Sequence, residues 1–136
     1  MRWLKAIAAI LWCSVPALLA WVFFILPVLW LTSLRSTGWR YYEDWCPYLL
    51  VIVPKNSWLG KVWGARWRGA SLPFCVLLHA EARPVTREHE ARHVSQWALF
   101  GPLFLPLYLA LVVGVGYAEN PFEADARAYS FSLDRR

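Results

Sequence analysis

The sequence predicts an α+β protein. An N-terminal membrane helix comes first, then a small domain of two or three short strands, a motif-bearing helix, an apolar hairpin or buried helix, and a last helix that presents a carboxylate. Three observations carry this expectation. Residues 7–34 contain no charged side chain. Short apolar runs rich in β-branched residues, bounded by turn residues, fill the middle of the chain, as strands do. Residues His89-Glu90-Ala91-Arg92-His93 place two histidines four apart, on one face of a helix. At 136 residues the chain is sized for one domain, so the expected division is residues 1–35 as membrane anchor and residues 36–136 as the small domain.

Composition narrows the partners. Apolar residues make up 59% of the chain and mean hydropathy is +0.37, above the roughly 45–50% apolar content of soluble domains. The lipid bilayer is therefore the first expected partner. The net charge of +5 is scattered without a basic block, and 10 Trp suit a bilayer interface, which together exclude nucleic acid. Three cysteines with no C-x-x-C pair exclude a disulfide framework and a cysteine zinc site. Cys46 could pair with Cys75 if the region is exported, whereas Cys13, inside the first apolar run, is a small packing residue.

Along the chain, residues 7–34 exceed the ~20 residues a membrane helix needs. Arg2 and Lys5 precede the run as in a signal sequence, but the short core and small-residue cleavage site are missing, so the anchor stays uncleaved. Pro16 and Pro27 kink it or break it into two pieces. Arg2 and Lys5 on one flank balance Arg35 and Arg40 on the other, which leaves its orientation open. Residues 36–47 have no period and read as a juxtamembrane connection. Residues 48–53 read as a buried strand ended by Pro54, and residues 70–80 as a second strand. Residues 61–68 partly alternate apolar and basic side chains, like an edge or a hairpin arm.

The motif helix is expected to start near Pro84 with Thr86 as N-cap and Glu88 in its first turn, and to stop at Gly101-Pro102. Residues 97–117 are uncharged and long enough to span a bilayer, but Pro102, Pro106, Gly114 and Gly116 interrupt them. If a third metal ligand lies after Tyr117, a full crossing would place it on the opposite side of the membrane, about 30 Å away from His89 and His93. The stretch therefore reads as a helical hairpin, a re-entrant element, or a buried helix of about residues 103–113.

The histidine pair has the layout of a zinc-dependent hydrolase. Catalytic zinc takes three protein ligands and leaves a position for water, and Glu90 stands beside it as a general base. The third ligand is sought among Glu119, Glu123, Asp125 and Asp134. Asn120 as N-cap and Pro121 at the first helical position make Glu123 the N3 residue. Such a glutamate either bonds back to the cap amide or is presented to a metal, and local sequence weighs these evenly. Glu119 is the fallback ligand. Gln96 could bond near the site or face solvent, and Asp125 could hold a ligand histidine or sit at the surface. Arg92 could pair with Glu88 or, like Arg127, bind an acidic substrate terminus. Tyr108, Tyr117 and His79 are unranked candidates for stabilising an oxyanion, although His79 on a strand is more simply a satisfied histidine.

H-E-x-x-H followed by a glutamate on a later helix resembles the gluzincin class of zinc metallopeptidases. More narrowly, His89-Glu90-Ala91-Arg92-His93-Val94-Ser95-Gln96, then Gly101-Pro102 and Pro106-Leu107-Tyr108, then Asn120-Pro121-Phe122-Glu123-Ala124-Asp125-Ala126 resemble a group of short bacterial proteins. Their pattern is H-E-x-x-H-x-x-Q, G-P, P-x-Y and N-P-x-E-x-x-A. The resemblance covers about residues 70–130. It implies a small zincin-like domain with a Zn2+ ion held by His89, His93 and Glu123 and with Glu90 as catalytic base; it does not extend to the anchor and does not say what is cleaved. The expected reaction is hydrolysis of a peptide bond in a peptide or protein substrate, and the N-terminal apolar run is expected to anchor the chain in a membrane, the bacterial inner membrane. The competing expectation is a membrane-anchored metal-binding or interaction protein without turnover, which the small size favours. A structural membrane protein, whose apolar runs mediate association, is the third.

Overall fold

The computed structural model describes residues 2–32, 34–63 and 67–134. The fold is mixed α and β, with one four-stranded sheet. It begins with α1 (Arg2–Trp12), α2 (Ser14–Ala20), a π-helical turn (Trp21–Ile25) and α3 (Leu26–Thr32). The axis bends by 69° between Trp3–Trp12 and Ser14–Trp30. Pro16 explains the bend: it has no N–H for the Trp12 carbonyl four residues back, and its ring crowds that carbonyl. Ahead of Pro27 the Leu26 N–H donates to the Trp21 carbonyl, five residues back, so the ladder widens instead of breaking.

Four strands form the sheet, more than the two or three expected. They are β1 (Arg35–Tyr42), β2 (Cys46–Val53), β3 (Gly69–Leu72) and β4 (Cys75–His79), in the order β1-β2-β4-β3. β2 is parallel to β4, and both outer strands are antiparallel to their neighbours. β1 occupies the segment expected to be a connection. Its period is hidden because the register shifts between Ser36 and Gly38, where Gly38 has φ 99°, and because its outward Trp39 and Tyr41 are exposed. The single strand expected at residues 70–80 is a hairpin, turned at Pro73 and Phe74, with Phe74 in the left-handed region at φ 57°. The arm expected at residues 61–68 begins as helix α4 (Trp58–Trp63). Ser57 caps it, accepting from the Gly60 amide at 2.9 Å; residues 64–66 lie outside the described residues.

Both sheet faces are covered, which is why β2 and β4 read as unbroken apolar runs. Tyr48, Leu50, Val76 and Leu78 pack with Val94 and Ala98 of the motif helix and with Ala9 and Cys13 of the N-terminal segment. On the other face Leu49, Val51, Val53, Cys75 and Leu77 meet Ile25 and Leu34. The N-terminal helices thus contribute to both cores. Cys46 and Cys75 lie on opposite faces and all three cysteines are free, so the possible Cys46–Cys75 bridge does not form.

The motif helix is α5 (Pro84–Phe100). It starts two residues before the expected cap: Arg83 is extended, as a residue before proline must be, and Pro84 takes the first helical position. After a 3-10 turn (Gly101–Leu103) come α6 (Phe104–Val115) and α7 (Pro121–Asp134). As one helical run, Pro84–Val115 is long and apolar enough to cross a membrane, and so is the bent N-terminal pair. The run is not a straight rod. His93 and Tyr108 would lie about 22 Å apart along one helix, yet their ring centroids are 6.4 Å apart, so α6 folds back toward α5 at the 3-10 turn.

Candidate metal centre

α7 packs antiparallel to α5, with Gln96 bonded to Phe122 and Arg92 to Asp125. This pairing sets the first turn of α7 over the middle of α5. Asn120 caps α7 as expected, accepting the Phe122 amide at 3.0 Å, and its own amide donates to the Tyr108 carbonyl at 3.3 Å. Glu123, buried in the following turn, points at the histidines.

His89, His93 and Glu123 form a group that could hold a metal ion. The two Nε2 atoms are 3.1 Å apart; His89 Nε2 is 3.3 Å from Glu123 Oε2 and His93 Nε2 is 3.2 Å from Oε1. A tetrahedral ion with bonds of about 2.0–2.1 Å has ligand atoms about 3.3–3.4 Å apart; the two Nε2 atoms are near that separation, and one atom from each of the three residues lies within 4.8 Å of the others. The chemistry of the donors agrees. His93 Nδ1 lies 2.7 Å from the Gln96 carbonyl oxygen, an acceptor, so Nδ1–H donates there and Nε2 is the atom turned toward the cluster. Protonated, Nε2 donates to the Glu123 carboxylate; deprotonated, it offers a lone pair to a metal. Oε2 of Glu123 is buried without a hydrogen bond; His89 Nε2 at 3.3 Å and the Arg127 guanidinium at 3.9 Å are its ion-pair partners, and a bound metal would satisfy it more closely.

Burial opposes ionisation of Glu123, but the two imidazoles and the Tyr108 hydroxyl, which donates to Oε1 at 2.7 Å, outweigh it and hold the carboxyl well below its usual range. The cluster therefore keeps a carboxylate at neutral pH. Glu90 is also buried, and burial pushes its carboxyl up while His93 and His89 pull it back. It lies against β3: a Cβ built on Gly69 would come 2.7 Å from Glu90 Cγ.

Behind the ligands runs a network that local sequence left open. The Gln96 amide nitrogen donates to the Phe122 carbonyl at 3.0 Å and to Asp125 Oδ2 at 2.8 Å, which fixes the oxygen that holds His93. Asp125 thus acts on His93 through Gln96 and does not touch the ring. Arg92 grips Asp125 with two hydrogen bonds, at 2.7 and 3.0 Å, and donates to the Tyr42 hydroxyl at 2.9 Å. Glu88 pairs instead with Arg87.

His79 is held by Arg68 and the Glu81 amide, away from the cluster. Glu119 is exposed in the turn before α7 and is not part of the ligand group. Tyr108 and Tyr117 line the pocket over the cluster, which has a volume of about 620 Å³, together with Ser71, Trp97 and Phe104. Gly69, Ser71 and Tyr42 have no signal in their local sequence; only the packing of β1 and β3 against α5 and α7 shows them. No family model, curated protein or solved structure matches the chain.

Proposed function

We propose that the protein is a membrane-anchored, zinc-dependent metallopeptidase. The observation that carries this reading is the convergence of two imidazole nitrogens and one buried carboxylate on a single point beside Glu90. Bound there, zinc supplies a Lewis acid that polarises a carbonyl and lowers the pKa of water. Glu90 accepts the proton of the attacking water and delivers it to the leaving amine as the C–N bond breaks, giving a carboxylate and an amine. Desolvation suits it to this task, because a base whose pKa lies nearer to neutral both takes and returns a proton readily. Tyr117 stands over the same pocket and can donate to the developing oxyanion, whereas the Tyr108 hydroxyl is engaged by Glu123. β3, at the edge of the sheet and lining the pocket, offers backbone groups to an extended peptide.

Anchoring rests on exposed apolar surface. Leu4, Leu11, Leu18, Phe23 and Trp30 in the N-terminal helices, and Val113 in α6, are all more than half exposed. Patches of this kind mark contact with lipid or with another protein.

The test is full-length protein in detergent with metal analysis and peptide hydrolysis. Stoichiometric zinc is expected, lost in His89→Ala and His93→Ala. Glu90→Gln should keep the zinc while losing at least ~100-fold in rate. Unchanged hydrolysis in Glu90→Gln would remove Glu90 as base; zinc without hydrolysis in the wild type would make the protein a metal-binding protein.

A further inference from the structure

The pocket over the cluster is open, and its mouth is made of apolar side chains from separate parts of the chain. Phe24 comes from the π-helical turn, Trp67 from the approach to β3, Leu105 from α6 and Tyr117 from the turn after it. These four are 62%, 63%, 48% and 58% exposed, so they form a rim and are not buried core. Deeper in, Trp97 and Phe104 form the wall. Apart from His89, His93, Glu123 and Glu90, no titratable side chain other than the two tyrosines lines the pocket among the described residues. Away from those four residues, a charged substrate side chain would lose its hydration without gaining a counter-charge.

The rim is continuous with larger apolar surfaces. Beside Phe24, Phe23 and Leu26 are exposed; beside Leu105, Leu103 and Leu107 are exposed. Both segments belong to the runs long and apolar enough to enter a membrane. On the third side lies β3, whose strand partner among the described residues is β4, with Gly69, Ala70 and Ser71 in the pocket wall. An extended backbone is the shape that pairs with such an edge, whereas a single acyl chain has no groups to pair.

We propose that this site takes an extended apolar polypeptide segment, with large hydrophobic side chains flanking the scissile bond, which reaches the cluster along the apolar rim formed by Phe24 and Leu105. The proposal rests on the peptidase reading for its chemistry, and its binding part is testable without it.

The experiment uses full-length, zinc-loaded protein in detergent micelles and two fluorescent decapeptides. They differ only at the residues flanking the central bond, Leu and Phe in one and Ser and Asp in the other. The apolar peptide is expected to be cleaved with kcat/KM at least about tenfold higher, the effect of seating one large apolar side chain. Binding to Glu90→Gln protein, read by fluorescence anisotropy, should show the same order. Phe24→Asp and Leu105→Asp, on two different elements, should each cut that preference at least threefold with zinc stoichiometry and circular dichroism unchanged.

Equal cleavage and equal binding of the two peptides would overturn the proposal while leaving a peptidase. So would a preference that survives both rim substitutions, or saturable binding of a fatty acid in place of the peptide. Preferential, Phe24-dependent binding of the apolar peptide with no cleavage by the wild type would sustain the apolar cleft and remove the peptidase reading.

Discussion

Gly69 leaves the space that the Glu90 side chain occupies. A methyl group there would overlap Glu90 Cγ and approach Oε1 at 2.9 Å, so the carboxylate would have to move. On the proposed peptidase reading, Gly69→Ala is expected to lower kcat/KM at least ~10-fold with zinc content unchanged, because a displaced base would no longer align with the reacting water. Full activity would show that Glu90 has room to spare. Cys46 and Cys75 show burial acting on a different chemistry. It pushes both thiols from 9.0 up to about 12, which leaves about a thousandfold less thiolate near neutral pH than a free cysteine has. Burial disfavours the thiolate, so alkylation by iodoacetamide at about pH 8 is expected only after denaturation. Rapid native modification at either cysteine would contradict the packing.

At the scale of elements, the cluster exists because α5 and α7 are locked in one register. Gln96 is the lock: one side chain bonds His93, the Phe122 carbonyl and Asp125. Replacing it with leucine leaves the carbonyl and the carboxylate without that donor and frees the His93 ring to turn. For the proposed zinc site, Gln96→Leu is expected to weaken zinc binding about 10–100-fold, measured by competition with a chromophoric chelator. An unchanged affinity would mean that packing alone orients the imidazole. The capping pattern Asn120-Pro121 and the histidine spacing on α5 were legible because they depend on neighbours within one turn. β1 was not legible, since a bulge at Gly38 breaks its period. The Pro73-Phe74 turn was hidden too, because its left-handed residue is a phenylalanine instead of a glycine.

For the whole molecule, the N-terminal helices are structural. Ile25 and Leu34 cover the face of Leu49, Val51, Val53 and Leu77, while Ala9 and Cys13 pack with α5. Each large apolar side chain uncovered costs about 1.5–3 kcal/mol, so exposing that face is comparable with the ~5–15 kcal/mol net stability of a domain. A fragment of residues 36–136 is therefore expected to aggregate or to lose its zinc affinity, even though the cluster lies wholly within it. A monomeric fragment with cooperative unfolding and full zinc binding, seen by calorimetry and metal titration, would show that the helices serve as an anchor alone.

The sequence by itself determined the spacing that puts His89 and His93 on one face of α5 and the cap that puts Glu123 in the first turn of α7, because helical pitch and capping depend on neighbours within one turn. It left the path of residues 97–117 among several readings, and the packing of α6 and α7 on α5 decided that path and brought Glu123 beside the histidines. Only the tertiary structure decided that Gln96 and Asp125 hold His93, that Gly69 and Ser71 border the site, and that the N-terminal run closes both cores. Those contacts join residues far apart in the chain, and they depend on how whole elements pack, which no local period or cap encodes.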